Sequence, residues 1–205
     1  GRLPDRAVPT LFASGGSMAV RKSRFQALGG FHPIYQPFYW EDIDLGLRAW
    51  RRGWRSLFEP GCRIVHDHSD PSTKSHVRAA RLQRIGRSNK FLFEWIHLSP
   101  EALQQVIPGY AVQALTRLLR LDFVYLGGLY AALRRLPEVR ALRRELAATS
   151  CLDYQAIVDT VREGLARAWT ESQPAATPAG PLRETPDRRV SGEYPAGAGD
   201  RNPDS

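Results

Sequence analysis

Between Phe38 and Arg48 the chain reads Phe-Tyr-Trp-Glu-Asp-Ile-Asp-Leu-Gly-Leu-Arg, with three carboxylates in four residues directly behind an aromatic cluster. Aspartate and glutamate are seldom buried, so such a cluster beside Tyr39 and Trp40 marks either a solvated helix start or a site. The spacing predicts a helix, because Ile43, Leu47 and Trp50 recur at i, i+4 and i+7 and make an apolar stripe. Gly53 is placed to end it. Glu41 and Asp42 fall at its N-terminus, where the helix dipole favours negative charge by roughly 0.3–1 kcal/mol. Asp42, Gly46, Ala49 and Gly53 line up as a strip of small residues, which lets another group approach Asp42 closely. Asp44 precedes Arg48 by four residues, the favourable orientation for a helical ion pair. That pairing accounts for Asp44 and leaves Glu41 and Asp42 only partly explained.

Upstream, Thr10 to Ser14 and Ser17 to Val20 read as short extended pieces joined at Gly15-Gly16. A glycine pair there permits positive φ and close backbone approach to a ligand; an ordinary turn is the equal alternative. Ser23 is positioned to cap a short helix, Arg24 to Leu28, that Gly29 ends. His32 to Tyr39 is a loop rich in proline and aromatic residues. Downstream of Gly53, two strands are expected, Trp54 to Phe58 and Arg63 to His66, around the turn Glu59-Pro60-Gly61. His66 closes the second strand and is a candidate metal ligand or base, although a lone histidine at such a place is more often simply on the surface. His68, beyond the strand, is the weaker candidate, and Ser69 to Ser75 carries a loop signal.

From His76 the pattern turns helical, with Arg81, Arg84 and Arg87 recurring at the helical period. Ser99-Pro100-Glu101 starts a helix with proline at its first position, and Pro108-Gly109 is expected to kink or break it. Phe123 to Leu133 is apolar, about a dozen residues against the roughly 20 that a bilayer crossing needs. Flanked by Arg117, Arg120, Arg134 and Arg135, it suits a membrane interface or a buried helix hairpin. Pro137-Glu138 opens another helix and Leu152 to Trp169 a last amphipathic one. From Gln173 the sequence offers almost nothing to bury, and a disordered tail is expected. Thirteen lysines and arginines stand against five acids between Pro71 and Thr149, enough to account for the net charge of +8. A basic helical region of that kind meets phosphates, on a nucleic acid, an anionic lipid or a diphosphate substrate. The two cysteines, Cys62 and Cys151, have no metal-ligand spacing and argue against a disulfide scaffold. The opening Gly1-Arg2-Leu3-Pro4 reads like a piece cut from a longer protein.

Taken in order, Ala13-Ser14-Gly15-Gly16-Ser17-Met18-Ala19, Leu28-Gly29-Gly30-Phe31, Trp40 to Leu45, Arg52-Gly53-Trp54, Glu59-Pro60 and Val65-His66 resemble one family. They are similar to the C-terminal half of the catalytic domain of family 2 glycosyltransferases, inverting enzymes of the GT-A fold. Arg87 to Leu98 resembles the helix that follows this domain in bacterial members, as does Ala131 to Glu145. The resemblance implies an α/β fold: a partial, Rossmann-like GT-A domain over residues 1–75 lacking its nucleotide-binding half. A helical extension over 76–170 and a disordered tail over 171–205 complete the expected organisation.

It also implies the chemistry. An acceptor hydroxyl attacks the anomeric carbon of a nucleotide-sugar, and one carboxylate of the Glu41-Asp42 pair takes its proton, Asp42 being favoured by the small-residue strip. Trp40, with Gly15 and Gly16, would shape the substrate pocket. His66 matches a histidine that completes the metal site of some members, the metal being Mg or Mn and requiring the upstream Asp-x-Asp half. Two features depart from the family: His32 stands where aspartate is usual after Gly-Gly-Phe, and no Asp-x-Asp precedes Gly15. The implied partners are a nucleotide-sugar donor and a glycan or lipid-linked acceptor, with an anionic membrane surface as a further contact and no nucleic acid. The implied location is cytoplasmic, at the inner face of the plasma membrane, in cell-surface polysaccharide synthesis. Two other readings compete: a basic helical module that binds anionic membrane or nucleic acid, and an inactive scaffold.

Overall fold

The computed structural model describes residues 5–65 and 78–172. Their order is β1 (Val8–Thr10), α1 (Lys22–Ala27), a 3-10 turn (Pro33–Tyr35), α2 (Glu41–Arg51), β2 (Ser56–Phe58) and five further helices. These are α3 (Ala79–His97), α4 (Pro100–Leu119), α5 (Phe123–Leu133), α6 (Leu136–Thr149) and α7 (Tyr154–Ser172). Among the described residues the sheet is a two-stranded antiparallel ladder, Val8 opposite Phe58 and Thr10 opposite Ser56. Most of the described chain is therefore helical.

The sequence's strand expectations are met in part. The first strand is shorter and earlier than the apolar pattern suggests, and the second shrinks from Trp54–Phe58 to Ser56–Phe58. Arg63 to Val65 is not a strand: none of the described residues pairs with it, and Val65 is almost fully exposed. The turn between them does form, Cys62 donating its N–H to the Glu59 carbonyl at 3.1 Å. His66, His68 and the Ser69–Ser75 loop lie outside the described residues, as does the tail from Gln173.

Helix α1 begins two residues earlier than expected, at Lys22 with Arg21 as its N-cap, so Ser23 lies inside it and does not cap it. Its end follows the Gly-Gly pair. Gly29 and Gly30 adopt φ of +72° and +68°, and Gly30 N–H reaches back to Phe25 O while Gly29 N–H reaches Gln26 O. This is the pairing by which a left-handed residue satisfies the last helical carbonyls, and glycine adopts it without Cβ strain.

Helix α4 continues through Pro108, so of the kink or break expected at Pro108-Gly109 the break does not occur. Pro108 and Gln104, the residue four back whose carbonyl loses its helical donor, are both exposed, so water can serve that carbonyl. At the far end of α4 the same 6→1 and 5→2 bonds recur, Asp122 to Arg117 and Leu121 to Leu118, but the left-handed position is a leucine. Leu121 holds φ of +54°, a conformation that costs a residue with a Cβ roughly 1–2 kcal/mol.

One apolar core joins the N-terminal elements to the helices. Ile34, Tyr35, Leu47 and Trp50 pack with Phe91, Leu92, Ile96, Tyr125, Val139, Ile157 and Val161. The α2 stripe enters it as the spacing predicts, with Leu47 and Trp50 buried and Ile43 at its margin. Trp50 adds a polar tie, donating its indole N–H to Thr10 O at 2.9 Å and holding β1 against α2. The basic segment is less free than its composition suggests. Arg87 and Arg117 both pair with Asp122, Arg135 holds Glu138, and Arg143 donates to the Trp95 and Leu98 carbonyls.

Candidate active site

The start of α2 is set by an unusual entry. Tyr39 and Trp40 both have φ of +76°, a left-handed conformation that costs bulky residues on the order of 1–3 kcal/mol each. The surroundings hold it in place. The Asn89 side-chain amide donates to the carbonyls of Tyr35, Phe38 and Tyr39 at 2.7, 3.0 and 3.1 Å. Trp40 donates its indole N–H to Gly86 O at 3.1 Å and lays its ring against Phe93 at 5.0 Å. Upstream, Arg135 donates to Ile34 O at 2.5 Å, and His32 Nδ1 accepts the Ile34 N–H at 3.1 Å. His32 thus caps the 3-10 turn as an aspartate would, which is how the chain tolerates histidine there. Burial holds its imidazole below the usual histidine range, in keeping with a bare accepting Nδ1. The helix consequently begins abruptly, with Glu41 and Asp42 in its first turn.

Asp42 stands between two clefts. One, of about 460 Å³, is walled by Phe12, Tyr39, Trp40 and Glu41 on one side and Leu82, Gln83 and Gly86 of α3 on the other. The second, of about 270 Å³, runs past Gly46 to Met18, Arg21, Arg24 and Arg55. Each carboxylate oxygen accepts one backbone hydrogen bond: Oδ1 from Ile43 N–H at 2.8 Å and Oδ2 from Gly15 N–H at 3.1 Å. A carboxylate oxygen has two acceptor sites, so both retain capacity for a ligand proton. Beside it, Glu41 Oε2 is buried with no hydrogen-bond partner.

The predicted small-residue strip does admit something, and it is the chain's own backbone. A Cβ on Gly46 would lie 2.7 Å from Leu11 O and 2.8 Å from Phe12 Cα, so glycine here lets the segment after β1 cross α2. That crossing carries the Ser14–Ser17 turn over Asp42. Gly15 and Gly16 occupy the middle of this turn, closed by Ser17 N–H to Ser14 O at 2.9 Å, and neither takes a positive φ. Of the residues singled out from sequence, the fold therefore gathers Gly15, Trp40, Glu41 and Asp42 at one place. His66 cannot be placed with them, since it lies outside the described residues.

Asp44 makes the expected pair with Arg48, and the structure adds to it: the pair is buried and the carboxylate is a hub. Its Oδ2 accepts Arg48 Nε–H at 2.7 Å, and its Oδ1 meets His97 Nε2 at 2.9 Å and the Tyr35 hydroxyl at 3.3 Å. Arg48 continues outward, donating to Leu28 O at 2.5 Å and Gly30 O at 2.8 Å, so the carboxylate anchors the end of α1. Burial pushes the Asp44 carboxyl up, but the His97 hydrogen bond and the Arg48 charge outweigh it and hold the group below its ordinary value. For His97 burial prevails over the attraction of Asp44 and lowers the imidazole. The consistent state is a neutral His97 donating Nε2–H to an ionised Asp44, which leaves Nδ1 as the bare nitrogen; that atom is buried without a partner. Neither His97 nor Asn89 was singled out in the sequence. The available signal was position: His97 follows Phe93 by four residues on the apolar face of α3.

A divalent ion needs more donors than this site supplies. With Asp44 committed to Arg48, Glu41 and Asp42 are the free carboxylates, and no group of three metal-ligating side chains exists among the described residues. The described residues thus do not by themselves fit the implied metal.

Over 83 residues, 38% of its length, the chain is 39% identical to N-acetylglucosaminyl-diphospho-decaprenol L-rhamnosyltransferase of Mycobacterium tuberculosis, in strains CDC 1551 / Oshkosh and ATCC 25618 / H37Rv alike. The match spans 26% of those relatives, about a quarter of their length. No family model matches the chain, and no solved structure does. The similarity supports kinship with glycosyltransferases.

Proposed function

We propose that this chain supplies the acceptor-side wall and the general base of an inverting glycosyltransferase, a partial GT-A domain that works with a nucleotide-binding half. The donor is a nucleotide-sugar. The relatives act, by their name, on a sugar carried by a polyprenyl diphosphate, and an acceptor of that class with L-rhamnose as the transferred sugar is the corresponding assignment here. The observation that carries the reading is Asp42, a partly exposed carboxylate between two clefts, presented by a strained entry and steadied by Gly15 and Ile43.

In the proposed step the acceptor hydroxyl lies in the cleft beside Trp40 and donates its hydrogen bond to Asp42. The hydroxyl oxygen bonds to the anomeric carbon as the carbon–oxygen bond to the diphosphate breaks on the opposite face. The proton passes to Asp42, and the nucleoside diphosphate departs. The two backbone donors hold the carboxylate at the cleft wall and leave it further acceptor capacity for the hydroxyl. Glu41 is the alternative base, its unpartnered Oε2 being the group most in need of a substrate contact.

Stereochemistry tests the class of reaction. Transfer by the chain together with its nucleotide-binding half, assayed with a nucleotide-sugar and a polyprenyl-diphosphate sugar and with the product linkage read by proton NMR, should give the anomer opposite to the donor. Retention of configuration would refute a single in-line displacement, and with it the single base.

A further inference from the structure

We propose that the corner between α4 and α5, Leu118 to Phe123, is an insertion edge by which the protein docks on an anionic lipid bilayer. This goes beyond the catalytic reading and does not depend on it.

The first observation is burial. None of the 20 residues of α4 is buried, although the helix has positive mean hydropathy. Its inner face, Tyr110 and Ala114, leans on the core, but Ile107, Val112, Leu115 and Leu119 project away from it. At 100° per residue these four fall within an arc of about 140° that holds no charged residue between Ile107 and Leu119. The face ends at the corner, where Leu119 is 77%, Leu121 66% and Phe123 69% exposed.

The second observation is the backbone. Leu121 occupies the left-handed position that closes α4, where glycine would sit without strain. A strained position filled by an exposed leucine indicates that the side chain serves something outside the fold.

Charge and shape select the occupant. Asp122, the acid of the corner, caps Tyr125 N–H and is paired with Arg87 and Arg117, while Arg120 beside it is exposed. Toward the other end of α5, a cleft of about 750 Å³ is lined by Arg81, Arg84, Arg134 and Arg135 together with Glu138. An apolar edge that carries the exposed Arg120 complements acyl chains beneath anionic headgroups. The edge is also a projecting helix corner rather than a groove, which suits insertion into lipid better than reception of a partner helix. No helix of the described residues is long and apolar enough to cross a membrane, so the contact is interfacial.

The test is co-sedimentation of the full chain with vesicles of phosphatidylcholine, with and without phosphatidylglycerol. Wild type should bind the mixed vesicles, release in high salt and bind pure phosphatidylcholine weakly. Leu119→Gln and Phe123→Gln should each lower the partition coefficient about tenfold. Leu121→Gly should lower it too while melting no lower than wild type, which separates lost insertion from lost folding. Equal binding by all three variants, or equal binding to both vesicle types, would overturn the proposal. So would sedimentation velocity showing a wild-type dimer that the variants abolish with vesicle binding intact, since the face would then belong to a second copy.

Discussion

Asp44 and His97, 53 residues apart, meet at 2.9 Å in the protein interior, and through Arg48 that contact reaches the end of α1. The carboxylate is the common acceptor for three elements, α2, α3 and the 3-10 turn. Removing it leaves a guanidinium buried without a counter-charge, which typically costs about 3–5 kcal/mol. Asp44→Ala should therefore lower unfolding free energy by about that amount in a urea titration, whereas an exposed helical ion pair would have cost only about 0.3–0.5 kcal/mol.

Acid should loosen the same centre. His97 and Asp44 both have folded-state values below their ordinary ones, so each contributes stability that is complete above its unfolded value and lost as pH falls below it. For His97 the loss begins beneath 6.5, the ordinary histidine value, and for Asp44 beneath 3.8. His32, also lowered, acts in the same direction as His97. Melting temperature should fall between pH 7 and pH 5, and His97→Gln should flatten that slope. An unchanged slope in the variant would assign the acid sensitivity elsewhere.

The two glycines near Asp42 should respond differently. A Cβ at Gly46 meets backbone at 2.7 Å, so Gly46→Ala forces the crossing segment away from α2, an overpacking cost of about 1–3 kcal/mol. The Ser14–Ser17 turn would shift with it and loosen its hold on Asp42. A Cβ at Gly15 meets Asp42 Cβ at an ordinary 3.8 Å, and Gly15→Ala should be nearly neutral by thermal melting.

What could be read from the residues follows from how local each feature is. The α2 stripe, the stop at Gly53, the turn at Pro60-Gly61 and the proline-led start of α4 depend on neighbours within a few positions, and all appear. The Asp44–Arg48 pair was legible because the i+4 partner is visible in sequence, whereas His97, 53 residues away, is not. The strain at Tyr39 and Trp40 was hidden for the same reason, since Asn89 enforces it from 50 residues away. Pro108 shows the converse: a strong local signal for a break yields where exposure lets solvent take the freed carbonyl.

Cleft geometry gives Trp40 a role that is partly structural. Its indole N–H is committed to Gly86, so Trp40→Phe should release the α2 entry from α3. Losing one part-buried hydrogen bond predicts a destabilisation of about 0.5–1.5 kcal/mol, measured by urea unfolding. A change confined to acceptor KM with unaltered stability would instead make Trp40 purely a substrate contact.

Asp42 as the base carries the account, and its amide variant tests it most directly. Asp42→Asn keeps the shape of the side chain and its oxygen toward one backbone donor while removing the proton acceptor. In the transfer assay described above it should lower turnover roughly 10²–10⁴-fold with donor affinity little changed. Glu41→Gln run beside it decides between the two neighbours: a dead Glu41→Gln with an active Asp42→Asn moves the role by one residue. Wild-type turnover in both variants would contradict the account.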